Sequence, residues 1–178
     1  MADKKETGLI QVYTGDGKGK STAAFGLALR GLGCGLKVAI IQFMKKGEWY
    51  GETAALARLP EIELSSFGMD GFLIKGEPLP PAYIELVQAA LEKTKNLLKA
   101  GEIDILILDE LNNAIFFGLV TEAQTQELLM LKPAHMELVI TGRNAPQYLL
   151  QAADLITEMR EIKHPYRHGL AARRGIEY

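Results

Sequence analysis

The sequence of 178 residues contains one cysteine and three histidines, so it has few of the residues that form disulfides and metal sites. Cys34 is its only cysteine, which excludes an internal disulfide and a zinc site built on several thiolates. His164 and His168 have the spacing of a helical metal site, but Pro165 between them excludes a regular helix and therefore that site. The start of the chain has no apolar signal core, and no apolar run reaches the length of a membrane span. We therefore expect a cytoplasmic protein without a membrane segment.

Charge of either sign is not in large excess. The formal net charge is −2, with 20 Lys and Arg against 22 Asp and Glu. This balance provides no general attraction for nucleic acid or anionic lipid, so neither is an expected partner. The length suits one domain, and residues 1–178 are predicted to form it.

Segments with strand and helix patterns alternate along the chain. The alternation predicts parallel βαβ units with right-handed crossovers, and so one three-layer α/β domain with a mostly parallel central sheet. Between the strand at 62–67 and the helix at 82–100 lies a long loop rich in glycine and proline, and long loops in compact domains are often functional. The predicted strands are 8–14, 36–43, 62–67, 103–108, 136–141 and 155–159, and the predicted helices are 20–32, 82–100, 111–131 (one or two helices) and 146–153.

The strongest local signal is the segment TGDGKGKST at 14–22. It closely matches the phosphate-loop pattern G-x-x-x-x-G-K-[ST] between a strand and a helix, with Thr14 at the position where glycine is usual. Glycines let backbone amides approach phosphate oxygens, and the helix that begins near Lys20 adds the positive end of its dipole. Lys20 provides a cation for a triphosphate, and the Ser21 hydroxyl is a magnesium ligand. A tight turn with solvated lysines is the alternative. The predicted nucleotide contacts are Gly15, Asp16, Gly17, Lys18, Gly19, Lys20, Ser21 and Thr22.

Two acidic residues, Asp109 and Glu110, follow the apolar strand at 103–108. Parallel strands present their carboxyl ends to the same crevice, so this pair is expected to face Ser21 and to share a magnesium ion with it. Spacing does not decide which of the two acids binds the metal. Asp109 as a cap of the next helix is the alternative interpretation.

Three further residues are open to two interpretations each. Arg143 follows the strand at 136–141 and either clamps phosphate or forms a surface salt bridge. Arg30 lies near the end of the first helix, where a solvated arginine is the simpler interpretation. Phe72, in the long loop, either anchors that loop or covers a flat ligand.

Five segments together resemble one family, the ATP:corrinoid adenosyltransferases of the bacterial cobalamin pathway that have a P-loop fold. The resemblance implies a RecA-like P-loop NTPase fold. It also implies the reaction in which the Co(I) centre of a reduced corrinoid attacks the 5′ carbon of ATP and expels triphosphate. The corrinoid would be cobalamin, cobinamide or cobyrinic acid a,c-diamide. The matching segments are GDGKGKSTAAFGLALRGLG at 15–33, VAIIQFMKKGEWYGE at 38–52, LILDELNNAI at 106–115, VITGRNAP at 139–146, and the closing segment at 153–178.

The same resemblance implies roles for single residues. Lys20 and Glu110 would act on the triphosphate and its Mg²⁺, together with Ser21. Phe72 matches one of two loop aromatics that displace the lower ligand of the corrinoid, and Ile74 stands where the second, a tryptophan, is expected. Partners implied in the same way are a reductase that supplies electrons to cobalt and a second copy of the chain in a homodimer. The positions that match nucleotide-site residues of the family are Arg30, Arg143 and His164.

Two other functions are compatible with the phosphate loop. A P-loop phosphotransferase or ATPase would make ADP instead of triphosphate. A nucleotide-dependent corrinoid-binding module would bind ATP without turnover.

Overall fold

A computed structural model describes residues 7–46, 51–56, 58–71 and 73–177, and in it six strands form one parallel sheet. The strands are β1 (Ile10–Thr14), β2 (Val38–Phe43), β3 (Ile62–Phe67), β4 (Ile105–Asp109), β5 (Glu137–Thr141) and β6 (Leu155–Glu158). The helices are α1 (Lys20–Gly33), α2 (Gly51–Leu56), α3 (Pro81–Ala100), α4 (Leu111–Phe116), α5 (Glu122–Leu131) and α6 (Gln147–Ala152). A 3-10 turn covers Pro165–His168.

The strand order is β3-β2-β4-β5-β1-β6, and every neighbouring pair is parallel. All six carboxyl ends therefore lie at one edge of the sheet, which is where open parallel sheets bind their ligands. The strand β5 separates β1, which leads into the phosphate loop, from β4, which ends in the acidic pair. Residues at the end of β5 consequently lie between the two predicted parts of the site.

Helices cover both faces of the sheet, which makes the domain three-layered. Alternate strand residues such as Ile41 and Leu108 pack against α3, α4, α5 and α6, and the intervening ones, such as Ile40 and Ile107, pack against α1 and α2. Because both faces are buried, β2, β4 and β5 are buried along their whole length.

Local sequence signals explain several helix ends. Pro81 begins α3, where its missing N–H costs nothing, and Gly101 ends it in the left-handed conformation with φ 63°. Thr121 and Gln124 form a capping box at the start of α5. Gly118, with φ 79°, lies between α4 and α5 and divides the predicted segment 111–131 into two helices.

The predicted fold class, an α/β P-loop NTPase fold, is confirmed, and the sheet is parallel throughout. The predicted strands agree with the observed ones to within two residues at each end. The short helix α2 and the 3-10 turn were not predicted, because elements of six and four residues are too short to show a period. Within the described part of the chain, no helix has the length and apolar character needed to cross a membrane.

Candidate functional site

The phosphate loop joins β1 to α1, and its glycines are required for two different reasons. Gly15 and Gly19 have φ angles of 94° and 116°, which residues with a side chain rarely adopt. Gly17 instead lies against the chain that follows β6. Its N–H donates to the carbonyl oxygen of Met159 at 2.6 Å, and an added Cβ would lie 2.7 Å from the same oxygen. The loop is therefore held in place from the side of β6.

Lys20, the first residue of α1, folds back into the loop. Its Nζ donates to the carbonyl oxygens of Gly15 and Gly17, both at 2.7 Å, and the residue is only 8% exposed. Burial lowers the pKa of Lys20, against an opposing effect of Glu110. The loop thus holds a buried positive charge beside its own backbone, which is the charge that a triphosphate needs.

The two acids at the end of β4 have different environments. Asp109 is fully buried and accepts hydrogen bonds from Thr141 Oγ1 at 2.7 Å and from Gln42 Nε2 at 3.3 Å. Glu110 has φ 64°, an uncommon conformation for a residue with a side chain, and its N–H donates to Thr141 Oγ1 at 3.0 Å. The strands on both sides of β4 therefore fix the acidic pair, and Asp109 is a buried strand residue and does not cap α4.

Lys45, just after β2, connects the acidic pair to the phosphate loop. Its Nζ lies 2.8 Å from Asp109 Oδ2, 3.1 Å from Ser21 Oγ and 3.9 Å from Glu110 Oε1. Its side chain is 12% exposed. Burial opposes the charge of Lys45, but Asp109 and Glu110 outweigh it and raise the pKa of this lysine. Burial raises the pKa of Glu110, whereas the lysine holds that of Asp109 below its usual value in spite of burial.

Lys45 was not among the residues predicted from the sequence. The signal that would have found it is its position at the carboxyl end of a buried strand, the same argument that selected Asp109 and Arg143.

The residues predicted for Mg²⁺ are chemically suited to it. Ser21, Asp109 and Glu110 offer hard oxygen donors, and all three already surround one cation, the ammonium group of Lys45. Among the residues that the structure describes, no three His, Cys, Asp or Glu side chains are grouped as a metal site. At this site the described residues therefore offer two carboxylates and one hydroxyl, which suits an ion that takes its other ligands from phosphate and water.

A cavity of about 610 Å³ opens over the phosphate loop. The loop from Asp16 to Thr22 lines it, together with Glu110, Arg143 and His164. Arg143 Nη2 donates to the carbonyl oxygen of Asp16 at 3.3 Å, and its Nε lies 3.9 Å from the Asp16 carboxylate. Arg143 is thus both a cavity residue and one partner of an exposed ion pair, so the two interpretations of this residue are compatible.

The C-terminal segment closes one side of this cavity. Lys18 Nζ donates to the carbonyl oxygen of Ile176 at 2.5 Å and lies 3.2 Å from Glu177 Oε1. Glu177 also accepts from the backbone N–H of Arg173 at 2.7 Å and pairs with its guanidinium at 3.0 Å. The hydrogen bonds from Arg173 lower the pKa of Glu177 to about 2.

A second cavity, of about 800 Å³, adjoins the first. The two share Lys45, Glu110, Asn113 and Arg143 as lining residues. The rest of its wall is largely apolar and aromatic, and it includes an edge-to-face pair, Phe116 and Phe117, whose ring centres are 5.3 Å apart. Lys75 Nζ lies 3.7 Å from the ring centre of Phe116. The further apolar or aromatic side chains in this wall are Met44, Met69, Leu73 and Tyr83.

Comparison with known proteins agrees with this arrangement. The model of the family described as ATP:corrinoid adenosyltransferase BtuR/CobO/CobP matches residues 6–178. The chain belongs to this family. It is 36% identical to a corrinoid adenosyltransferase of Pseudomonas aeruginosa, over 98% of this chain and 86% of that protein. It is also 36% identical to one from a Sinorhizobium species, over 100% and 84% of the two chains. It is 33% identical to the corrinoid adenosyltransferase CobA of Salmonella typhimurium, over 98% of this chain and 88% of that protein.

Not every residue that the adenosyltransferase resemblance selected lies at the cavities. Arg30 is exposed on α1 and does not line the cavity over the phosphate loop, so its role stays a prediction. Phe72 lies outside the described residues. Ile74 is 61% exposed and lines neither cavity. Among the described residues, the aromatic rings that line the second cavity are those of Tyr83, Phe116 and Phe117.

Proposed function

We propose that this adenosyltransferase-family protein transfers the 5′-deoxyadenosyl group of ATP to the Co(I) centre of a reduced corrinoid. One observation carries the proposal beyond family membership. A polar cavity over a phosphate loop and an apolar, aromatic cavity share a wall formed by Lys45, Glu110, Asn113 and Arg143. Two substrates of opposite character would therefore meet at one boundary.

The bond changes balance without a nucleophile from the protein. The cobalt–carbon bond forms with an electron pair from Co(I). The bond between C5′ and its oxygen breaks, and the electron pair of that bond leaves with the triphosphate. A catalytic Ser, Cys or His base is unnecessary. The tasks left to the protein are alignment of the two substrates and stabilisation of a multiply charged leaving group.

The nucleotide would bind in the first cavity, with its phosphates along the loop from Gly15 to Thr22. The cavity is lined by cationic side chains, namely Lys18, Lys20, Lys45 and Arg143. His164 also lines it and supports a nucleotide contact from the C-terminal segment. Arg30 would be a contact by resemblance alone.

Magnesium is part of this proposal. Ser21, Glu110 and Asp109 would hold it, with phosphate oxygens and water as its remaining ligands. When bound, it would neutralise part of the charge on the departing triphosphate. The chain's own contribution is to orient the two carboxylates: Thr141 and Gln42 donate hydrogen bonds to that of Asp109, and the Asn113 side-chain amide donates to that of Glu110.

The corrinoid would bind in the second cavity. Its wall has the aromatic and apolar surface that a large flat ring system requires. The side chains that would contact the ring or displace its lower ligand are Phe72, Phe116 and Phe117. Ile74 has no aromatic ring and would not take part in this displacement. Under this assignment, residues at the end of α4 and in the loop before α3 would determine which corrinoid the protein prefers.

Further parts of the proposal rest on the sequence: the single domain and the compartment on its length and composition, the homodimer and the reductase on the resemblance. Residues 1–178 would act as one domain, in a homodimer, in the cytoplasm, with a reductase that delivers electrons to cobalt.

The test is an anaerobic incubation of the purified protein with Mg-ATP and chemically reduced cobalamin or cobinamide, followed by its absorption spectrum and by phosphate analysis. We expect a light-sensitive adenosyl-corrinoid and one triphosphate per product. Formation of ADP would favour a phosphotransferase or ATPase. Binding of ATP without any corrinoid product would favour a nucleotide-dependent corrinoid-binding module.

A further inference from the structure

The ammonium group of Lys45 occupies the point where the oxygen atoms suited to a divalent ion converge. Its Nζ lies within 4 Å of Asp109, Glu110 and Ser21, at 2.8, 3.9 and 3.1 Å. The position is sheltered, because Asp109 is fully buried and the Lys45 side chain is 12% exposed. In this structure, therefore, the acidic pair is already paired with a cation of the chain itself.

A divalent ion and this ammonium group compete for the same oxygens. Two cations that share a sheltered site repel each other strongly, because the local dielectric screens them less than water does. An incoming ion must displace Lys45, and a sheltered lysine that loses its acidic partners needs another anion. Lys45 also lines the cavity over the phosphate loop, where a triphosphate would provide that anion.

We propose that Lys45 is an exchangeable counter-ion of the acidic pair, which makes divalent-metal binding depend on the triphosphate. Without nucleotide, Lys45 holds Asp109 and Glu110 and excludes Mg²⁺. When the triphosphate binds, Lys45 transfers to its oxygen atoms and the acids become available to the metal. Linkage requires the converse as well, so the metal strengthens triphosphate binding by the same factor. This inference rests on the proposed nucleotide site.

The test measures metal binding to nucleotide-free protein and needs no turnover. Mg²⁺ is titrated by calorimetry into the wild type and into Lys45→Met, which keeps most of the side-chain volume but removes the charge. We expect the variant to bind Mg²⁺ at least about tenfold more tightly, which is the effect of one modest charge interaction. Its affinity for metal-free tripolyphosphate should fall by about tenfold or more, because a charge-assisted phosphate contact is lost.

Lys46→Met is the matched control. Lys46 is the next residue, but its ammonium group pairs with Asp70 at 2.9 Å on the protein surface. The substitution removes the same charge without opening the acidic pair, so nucleotide-free Mg²⁺ affinity should change by less than about threefold, as expected for a screened charge. If Mg²⁺ affinity rose equally in Lys45→Met and Lys46→Met, the cause would be the change in net charge and not the position of Lys45. That result would overturn the proposal.

Loss of Lys45 leaves buried acids without their cation and lowers stability, and this effect provides a second measurement. Thermal unfolding is recorded with and without Mg²⁺, and Lys45→Gln, which keeps an N–H donor, is measured beside Lys45→Met. Mg²⁺ alone should raise the Tm of these variants, or restore their folding, while it leaves the wild type unchanged. Absence of any Mg²⁺ effect on both variants would overturn the proposal.

Mg²⁺ binding to the nucleotide-free wild type is a further test of whether Lys45 excludes the ion. Nucleotide-free wild type that binds Mg²⁺ with a Kd well below about 1 mM would show that Lys45 does not exclude the ion. Failure of the underlying nucleotide site gives a different result, because the wild type would then bind neither ATP nor tripolyphosphate.

Discussion

The hydroxyl group of Thr141, at the end of β5, donates a 2.7 Å hydrogen bond to Oδ1 of Asp109, at the end of β4. The same hydroxyl oxygen accepts the backbone N–H of Glu110 at 3.0 Å. Because β5 pairs with β4 along its length, this single side chain reaches both members of the acidic pair. It fixes the carboxylate of one and the backbone turn of the other.

Replacement of this hydroxyl tests its importance. Thr141→Val keeps the shape of the side chain but leaves one Asp109 oxygen and the Glu110 N–H without their partner. We expect the free energy of unfolding to fall by about 1–3 kcal/mol, the cost of buried groups that lose a hydrogen bond. Denaturant unfolding measures it, with Thr157→Val on the exposed strand β6 as the control, for which a change within about 0.5 kcal/mol is expected. Equal stability of Thr141→Val and the wild type would contradict the role.

The phosphate-loop assignment is tested by Lys20→Ala and Ser21→Ala. Lys20→Ala removes a charge-assisted phosphate contact and Ser21→Ala removes a ligand of the Mg²⁺ bound to that phosphate. A charge-assisted contact contributes about 1.5–3 kcal/mol, so the Kd for Mg-ATP should rise by about 10- to 150-fold. Calorimetry or turnover at subsaturating ATP provides the measurement. Lys99→Ala, an exposed lysine near the end of α3, should leave ATP binding unchanged. If Lys20→Ala and Ser21→Ala bound ATP like the wild type, the nucleotide would lie elsewhere.

The parts of the site that were predictable are those with a local signature. The phosphate loop and Asp109 were found because glycine spacing and an acid after an apolar strand are visible within a few residues. Lys45 was missed because its meaning depends on the pairing of β2 with β4, which brings it beside Asp109 from 64 positions away in the chain. Its position after a buried strand places it at the carboxyl edge of the sheet, but only the strand order shows that it shares this edge with Asp109.

The aromatic wall of the second cavity was missed for a different reason. Phe116 and Phe117 lie at the end of α4, where aromatic residues ordinarily indicate core packing. They line a cavity because α4 ends here, before Gly118 with its φ of 79°, and because the segments after β2 and β3 form the opposite wall. Phe72 was considered instead because of its place in the long loop, and its corrinoid role and the position of Ile74 came from the family resemblance.

Corrinoid turnover should respond to the wall of the second cavity and to Ile74, which lies in the loop before α3. Ile74→Trp adds an aromatic ring and should raise kcat/KM for cobalamin relative to cobinamide by about two- to tenfold, since an aromatic contact contributes about 0.5–1.5 kcal/mol. Phe117→Ala should lower kcat/KM for both corrinoids while ATP affinity stays unchanged. Ile162→Trp, at a residue 85% exposed, is the control. An unchanged corrinoid preference in Ile74→Trp would rule out a role for this position.

The C-terminal segment should loosen when Glu177 loses its charge. Glu177→Gln weakens the contacts with Lys18 and Arg173, so hydrogen exchange of the amides at 173–177 should become faster than in the wild type. The pKa of Glu177 is about 2 in the folded chain and 4.5 ordinarily, so its charge stabilises the docked segment fully above pH 4.5. That contribution is lost as the pH falls from 4.5 towards 2. The difference between variant and wild type should disappear over the same range.

Glu161→Gln is the control for this experiment, because Glu161 pairs with Arg167 in the same segment and does not contact Lys18 in any described interaction. Protection at 173–177 should not respond to it. Equal protection in Glu177→Gln and the wild type at neutral pH would show that the segment is held by other contacts.

Two glycine substitutions should have opposite effects on stability. At Gly17, a Cβ would lie 2.7 Å from the carbonyl oxygen of Met159, a backbone atom that cannot turn aside, so Gly17→Ala should destabilise the fold and weaken ATP binding. At Gly26, in α1, an added Cβ meets nothing within 4 Å, and Gly26→Ala should stabilise by about 0.5–1 kcal/mol through helix propensity. Denaturant unfolding separates the two. If Gly17→Ala were as stable as the wild type, the segment after β6 would move away from the phosphate loop with no loss of stability. Packing of that segment would then not be what holds the loop in place.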